Sequence, residues 1–118
     1  MIYSDVKNAT VGTSETKVGS YSIPGGSKII GFRAISATGT GFVTKVRFDF
    51  PGITTPQTYS PGVAPCLDGT AAGAGSQVNY VPLERVEIPV PGNINSVDVY
   101  ATCNAASQDV YVQLVWVK

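Results

Sequence analysis

The sequence predicts one all-β domain, folded as an antiparallel two-sheet β-sandwich of seven to eight short strands. Hydrophobic residues recur at every second position in several segments, which is the period of a half-buried strand. Glycine and proline turn signals separate these segments about every ten residues, and no window has the spacing of an amphipathic helix. Connections this short favour antiparallel pairing. The 118 residues match a single domain spanning 1–118.

Three strands are expected in the first third of the chain, at 6–11, 17–23 and 28–37. Turn residues separate them at 12–14 and at 24–27, where Gly-Thr-Ser and Pro-Gly-Gly-Ser occur. The third strand is predicted to present alternate residues on one face, namely Ile30, Phe32 and Ala34.

Segment 42–50 has the clearest alternation in the chain and predicts a strand with one wet face. The predicted inward residues are Phe42, Thr44, Val46, Phe48 and Phe50. The predicted outward residues are Val43, Lys45, Arg47 and Asp49. Pro51 ends the strand because proline has no amide hydrogen for the ladder.

Two further strands are expected at 83–90 and 97–103. Pro89 places the end of the first at a sheet edge, since it cannot donate a ladder hydrogen bond. The second presents Val97, Val99, Ala101 and Cys103 on one face.

The last predicted strand, 110–117, is apolar on both faces. One face carries Val110, Val112, Leu114 and Trp116, and the other carries Tyr111, Val115 and Val117. The second face could lie under a loop or could meet a neighbouring subunit. Trp116 is expected in the core or at an intersubunit contact because it shares a face with aliphatic residues.

Segment 51–82 is predicted to be one long Pro/Gly-rich loop. Loops of this length are uncommon in compact domains and tend to be functional or disordered. Tyr59 and Tyr80 lie within it and are candidate subunit contacts together with Tyr111, Val115 and Val117. The two loop tyrosines are also the better candidates for stacking on a sugar, if a ligand binds.

The only cysteines, Cys66 and Cys103, could form one disulfide in an oxidising compartment. The alternative is two buried thiols. The parity of Cys103 with Val97 and Val99 indicates an inward position, whereas Cys66 falls in the long loop.

The composition argues against catalysis. The chain has no histidine, which removes the usual base for a serine or cysteine nucleophile and the commonest transition-metal ligand. Two cysteines are too few for a four-thiolate zinc site, and the scattered aspartates lack the spacing of a calcium loop. The sequence therefore predicts no enzyme, no cofactor and no metal.

Charge and hydropathy limit the partners. Eight basic residues balance eight acidic ones without a basic run, so no nucleic-acid contact is expected. No apolar stretch approaches the about 20 residues of a membrane helix, so no membrane contact is expected. Only 14% of residues are charged, which suits a neutral surface that packs against other subunits.

The turn and strand at 23–30, Ile-Pro-Gly-Gly-Ser-Lys-Ile-Ile, and the closing run at 110–118 resemble those of the small jelly-roll structural proteins of virions. The resemblance covers most of the chain in style and includes no diagnostic motif. It implies a jelly-roll-like sandwich, a location in the virion, and a role as a capsid, penton or decoration protein.

The leading hypothesis is a noncatalytic structural subunit that forms homo-oligomers and contacts other structural subunits. The alternative is an extracellular or cell-surface protein, either a carbohydrate- or ligand-binding β-sandwich module or a pilus or adhesin subunit.

Overall fold

The computed structural model describes residues 1–38, 40–51 and 87–118, together with the backbone of three strands between positions 52 and 86. Every regular element in this part of the chain is a strand, and none of it is a helix long and apolar enough to cross a membrane. The strands are β1 (Ile2–Tyr3), β2 (Lys7–Val11), β3 (Thr16–Ser22), β4 (Lys28–Ser36), β5 (Val43–Asp49), β6 (Gln57–Tyr59), β7 (Cys66–Leu67), β8 (Gln77–Val81), β9 (Ile88–Pro89), β10 (Ser96–Cys103) and β11 (Gln108–Val117).

The chain is folded like a long hairpin whose strands pair from both ends inwards. β2 pairs with β11, β3 with β10, β4 with β8 and β5 with β6, all antiparallel. Pairing of β11 with β4 and of β10 with β5 completes a first sheet, β2-β11-β4-β8, and a second sheet, β3-β10-β5-β6. The short strands β1, β7 and β9 extend the first sheet. This order is that of a jelly roll, so the predicted fold class is confirmed.

One hydrophobic core lies between the two sheets. Phe32 of the first sheet and Phe48 of the second meet edge to face, with ring centroids 5.2 Å apart and planes inclined by 70°. Trp116 packs into the same core, as its shared face with Val112 and Leu114 predicts. The inward face of β10 is buried as predicted.

β-Bulges shift the alternation in two strands and correct the predicted faces. Val43 pairs with Cys103 and Lys45 with Thr102, so Thr44 is an extra residue on β5. Val43 is therefore buried, whereas Phe42 and Thr44, predicted inward, are only half-buried. A second bulge makes Ile30 the extra residue on β4, so that Ile29 takes the buried position predicted for Ile30.

Most strand ends lie within two residues of the predicted ones, but two segments differ. Segment 51–82, predicted to be one long loop, contains β6, β7 and β8, which pair with neighbouring strands. Of the strand predicted at 83–90, residues 83–86 lie outside the described part, and the remainder forms only β9. Within the described strands β9 pairs with β4 alone, in agreement with an edge position for Pro89.

Two glycine turns pack together at one corner of the sandwich. The backbone amide of Gly26 donates to Val90 at 2.8 Å, and the amide of Val90 donates to Ser27 at 2.8 Å. Gly26 has a φ of 86°, which glycine adopts readily. A Cβ added to Gly25 would lie 2.5 Å from the backbone oxygen of Gly92, so only glycine fits there.

Cys103 is a free, buried thiol in this structure. The disulfide to Cys66 considered from the sequence stays a prediction. Cys103 lies on the inner face of β10, within the second sheet, whereas Cys66 lies on β7, outside β8 in the first sheet. The side chain of Cys66 is outside the described part. Burial raises the pKa of the Cys103 thiol to about 11.

Candidate functional site

The edge of the first sheet at β1 and β2 contains a bulge. Tyr3 pairs with Val115 and Lys7 with Val112, so the three residues 4–6 lie opposite only two residues of β11. The extra residue interrupts the ladder at this edge. Bulges at sheet edges redirect side chains and often adjoin binding sites.

Ser4 holds the bulge against β11. Its backbone amide donates to the oxygen of Leu114 at 2.8 Å, and its hydroxyl oxygen accepts from the amide of Leu114 at 2.8 Å. The side chain of Gln113 donates to the backbone oxygen of Ser4 at 3.0 Å. The Ser4 hydroxyl also donates to the backbone oxygen of Asp5 at 2.8 Å. These hydrogen bonds connect Ser4 with Asp5, Gln113 and Leu114 although the regular pairing is interrupted.

A cavity of about 260 Å³ opens between the bulged edge and β3 of the second sheet, and we call it the edge cleft. It combines aromatic side chains with hydroxyl and charged groups. Its lining residues are Ile2, Tyr3, Ser4, Asp5, Lys7, Ser20, Tyr21, Ser22 and Trp116.

The inner wall of the edge cleft is rigid. The buried Tyr21 hydroxyl donates to the backbone oxygen of Val112 at 2.6 Å. Burial raises the pKa of Tyr21 well above its usual range. Trp116 is 9% exposed and is part of the core cluster. The wall is therefore formed before any ligand binds.

The charges around the edge cleft are balanced. Asp5 and Lys7 line it, and the Lys7 Nζ lies 5.9 Å from the centroid of the Tyr21 ring. On β3, the Ser20 hydroxyl donates to Asp98 at 2.7 Å, and Lys17 approaches the same carboxylate at 3.6 Å. The surroundings therefore carry no excess of either sign that would favour an anionic or a cationic ligand.

Exposed apolar side chains cluster beside the edge cleft. Within the described residues, the exposed large hydrophobic side chains are all among the first six positions and are 44% to 65% exposed. We call this set the N-terminal patch; it consists of Met1, Ile2, Tyr3 and Val6. Concentration of exposed apolar surface at one edge is typical of contact sites.

The N-terminal patch continues onto the outer face of the first sheet. A shallow depression of about 80 Å³ there is lined by Val6, Arg33, Ile35, Tyr111, Val112 and Gln113. Val6 therefore connects the patch to Tyr111, one of the predicted contact residues. Tyr111 is half-buried, and its hydrogen bond with Asp109 raises the pKa of its phenol.

The other predicted subunit contacts do not line the depression beside Tyr111 in the described part of the chain. Val115 lies on β11, between β1 and β4, and is only 1% exposed. Its side chain is therefore not available on the surface of the single chain for the predicted subunit contact. Val117 is half-buried near the end of β11. Tyr59 lies on β6 in the second sheet and Tyr80 on β8 in the first, and their side chains are outside the described part.

The second sheet carries a paired charge cluster rather than an apolar surface. Arg47 donates to both carboxylate oxygens of Glu15, at 3.0 and 2.8 Å, and its guanidinium lies 4.1 Å from the centroid of the Tyr100 ring. These hydrogen bonds lower the pKa of Glu15 and raise that of Arg47. The described residues contain no group of three or more acidic, cysteine or histidine side chains able to hold a metal ion.

Two solved structures align with nearly the whole chain. The STIV major capsid protein superimposes with a TM-score of 0.57 and 10% identity, over 96% of this chain and 39% of that protein. A carbohydrate-binding module (CBM6cm-2) from Cellvibrio mixtus lichenase 5A, solved in complex with cellotriose, compares with a TM-score of 0.38 and 15% identity, over 94% and 83% of the two chains.

At these identities the likeness to the capsid protein concerns the fold alone, and the second TM-score is too low to support a conclusion. The chain spans 39% of the length of the capsid protein. No family model and no curated protein matches the sequence. The jelly-roll class therefore rests on the strand order together with the capsid protein comparison.

Proposed function

We propose that this chain is a noncatalytic structural subunit that self-assembles in a virion, as a capsid, penton or decoration protein. Its partners are further copies of itself and other structural subunits. Neither nucleic acid nor a membrane is a partner in this proposal.

The observation that carries the proposal is the N-terminal patch. Its four apolar residues lie at one edge of the first sheet and are continuous, through Val6, with the depression beside Tyr111. Removing such surface from water stabilises an assembly by about 25 cal/mol for each Å² buried. A structural subunit uses this kind of surface, whereas an isolated soluble domain gains nothing from it.

Two further features support the proposal. The jelly-roll order of the strands is shared with viral capsid and lectin domains, and the STIV major capsid protein has a similar fold. Arg47 and Lys17 of the second sheet are paired with acidic side chains of the chain, which reduces the basic surface there for a nucleic acid.

Light scattering coupled to size exclusion tests the assembly. We expect the mass to exceed the 12.3 kDa of one chain and to rise with concentration. A double variant, Ile2→Ser with Val6→Asp, should shift the protein to the monomer because it places a charge in the N-terminal patch. Thr13→Asp adds the same charge in an exposed turn and should leave the mass unchanged.

A wild-type mass of one chain at every concentration would overturn the proposal. An assembly that persists unchanged in the double variant would show that the N-terminal patch is not the contact. Circular dichroism of each variant checks that the sandwich is intact.

An extracellular or cell-surface role is the alternative location. It predicts that the protein is found in the secreted fraction or on cells rather than in purified particles. Electron microscopy of the source material distinguishes the two, since only the leading proposal predicts a shell that contains this chain.

A further inference from the structure

From the edge cleft, we infer that the protein binds a single unit of a neutral saccharide there when no other copy covers the N-terminal patch, since Ile2 and Tyr3 belong to both surfaces. The cleft lies between β3 and the bulge at residues 4–6, and its lining is part aromatic and part polar. Sugar rings have the matching chemistry, since their C–H faces pack on aromatic rings while their hydroxyl groups donate and accept hydrogen bonds.

The rim supplies hydrogen-bonding groups that are not used elsewhere. Within residues 1–38, 40–51 and 87–118, the side chains of Asp5 and Ser22 make no hydrogen bond or ion pair, and Lys7 makes no ion pair. Asp5 accepts hydrogen bonds, Lys7 donates them and Ser22 does both. Ser4 and Ser20 differ, because their hydroxyl groups already bond to Asp5 and Asp98.

An aromatic ring stands at the mouth of the edge cleft. Tyr3 is 59% exposed, whereas Tyr21 and Trp116 are buried in the wall behind it. The pairing of β1 with β11 fixes the backbone of Tyr3, which places its exposed ring beside the polar rim. A saccharide seated in the cleft would lie against Tyr3 and hydrogen-bond to Asp5 and Lys7.

The size and charge of the cleft define the ligand class. A volume of about 260 Å³ lies just below the about 300–1,000 Å³ of pockets that hold drug-sized ligands, so it fits one ring rather than an extended molecule. One acidic and one basic side chain line it, which disfavours phosphates and other strongly charged ligands. Ser4 and Tyr21 hold the walls in place, so binding requires little reorganisation.

Tryptophan fluorescence provides a direct test because Trp116 is the only tryptophan and lines the edge cleft. The probes are the methyl glycosides of glucose, galactose, mannose and N-acetylglucosamine. We expect a saturable change with at least one of them, with a dissociation constant of about 1 mM, as befits a ligand of one ring.

Variants locate the binding. Asp5→Ala and Tyr3→Ala should each weaken binding about tenfold, the change that follows loss of one hydrogen bond or one aromatic contact. Thr13→Ala, in an exposed turn, should leave the titration unchanged. The Val6→Asp variant, as a monomer, should bind the glycoside, so failure of the assembly proposal leaves this inference standing.

Three results would overturn the inference. One is the absence of a saturable change with all four glycosides. The second is binding that Asp5→Ala and Tyr3→Ala leave intact but Tyr59→Ala or Tyr80→Ala removes, which would move the site to the segment predicted from the sequence. The third is a Trp116 signal that depends on protein concentration alone, which would show that a second copy occupies the cleft.

Discussion

The hydroxyl of Tyr21 on β3 donates a hydrogen bond of 2.6 Å to the backbone oxygen of Val112 on β11. The Nζ of Lys7 on β2 lies 5.9 Å from the centroid of the same tyrosine ring. One side chain of the second sheet therefore contacts two strands of the first, next to the bulge in their ladder. This contact joins the sheets and forms the inner wall of the edge cleft.

We expect Tyr21→Phe to lower the free energy of unfolding by about 1–3 kcal/mol. The variant leaves the buried oxygen of Val112 without this hydrogen bond, and an unsatisfied buried group has a penalty of this size. Urea denaturation at pH 7 measures the change. Tyr3→Phe removes an exposed hydroxyl and is the matched control, with an expected change below about 0.5 kcal/mol. Equal losses in the two variants would contradict the bridging role.

The difference in stability between the wild type and Tyr21→Phe should also depend on pH. The pKa of Tyr21 is raised in the folded protein, so its neutral form stabilises the fold below the unfolded-state pKa of about 10. This contribution is lost as the pH rises above that value. The stability advantage of the wild type over Tyr21→Phe should therefore shrink above about pH 10.

The sequence predicts the sandwich because a period of two is a property of whole segments. Each segment with clear alternation forms a strand, and short glycine and proline turns restrict the pairing to antiparallel neighbours. The prediction from the sequence also holds for the final strand, β11, which is apolar on both faces. Leu114, Val115 and Trp116 are consecutive and all buried, as expected for a central strand covered on both faces.

The faces of β4 and β5 could not be predicted fully because a bulge leaves no compositional mark. Thr44 and Ile30 are ordinary strand residues, and nothing in their type shows that each is extra in its ladder. One inserted residue reverses the alternation on one side of it. This is why Val43 and Ile29 are buried in place of their neighbours.

The edge cleft and the N-terminal patch were missed for a related reason. The strand prediction began at position 6, and residues 1–5 carried no alternation of their own. The available signal was the presence of four large apolar residues within six positions, namely Met1, Ile2, Tyr3 and Val6. The pairing of Tyr3 with Val115, which forms the edge, depends on contacts 112 positions apart in the chain, and local patterns do not contain it.

The bidentate pair of Glu15 and Arg47 should give an acid-dependent contribution to stability. The hydrogen bond from Arg47 lowers the pKa of Glu15, so the stabilisation is present above the unfolded-state pKa and is lost as the pH falls through the lower folded-state value. We expect Glu15→Gln to lower the free energy of unfolding by about 0.5–1 kcal/mol at pH 7, a small value because the pair is partly exposed.

Urea denaturation at pH 7 and at pH 3 measures the difference, which should become smaller at the lower pH. Glu87→Gln is the control, because its pair with Lys28 spans 3.3 Å between more exposed side chains. We expect almost no change for it at either pH. A loss for Glu15→Gln that does not decrease in acid would contradict the assigned cause.

The corner of glycine turns predicts a large difference between two similar substitutions. Gly25→Ala places a methyl group 2.5 Å from the backbone oxygen of Gly92 and 2.7 Å from that of Ile94, and these backbone atoms cannot move aside cheaply. We expect a loss of about 1–3 kcal/mol in the free energy of unfolding. Gly92→Ala meets no atom within 4 Å and should change stability by less than about 0.5 kcal/mol. Thermal denaturation of both variants tests the contact, and equal melting temperatures would contradict it.

The Cys103 thiol should be unreactive until the sandwich opens. It is buried on the inner face of β10, and its pKa of about 11 leaves almost no thiolate at neutral pH, whereas the thiolate is the reacting form. In a Cys66→Ser variant, which has Cys103 as its only thiol, a disulfide reagent such as dithionitrobenzoate should react slowly at pH 8 and quickly in 6 M urea. The same variant should also keep the wild-type unfolding midpoint, since Cys103 is a free thiol in this structure. Rapid reaction without denaturant would contradict the burial of Cys103, and a large loss of stability under oxidising conditions would indicate that the two cysteines do form a bridge.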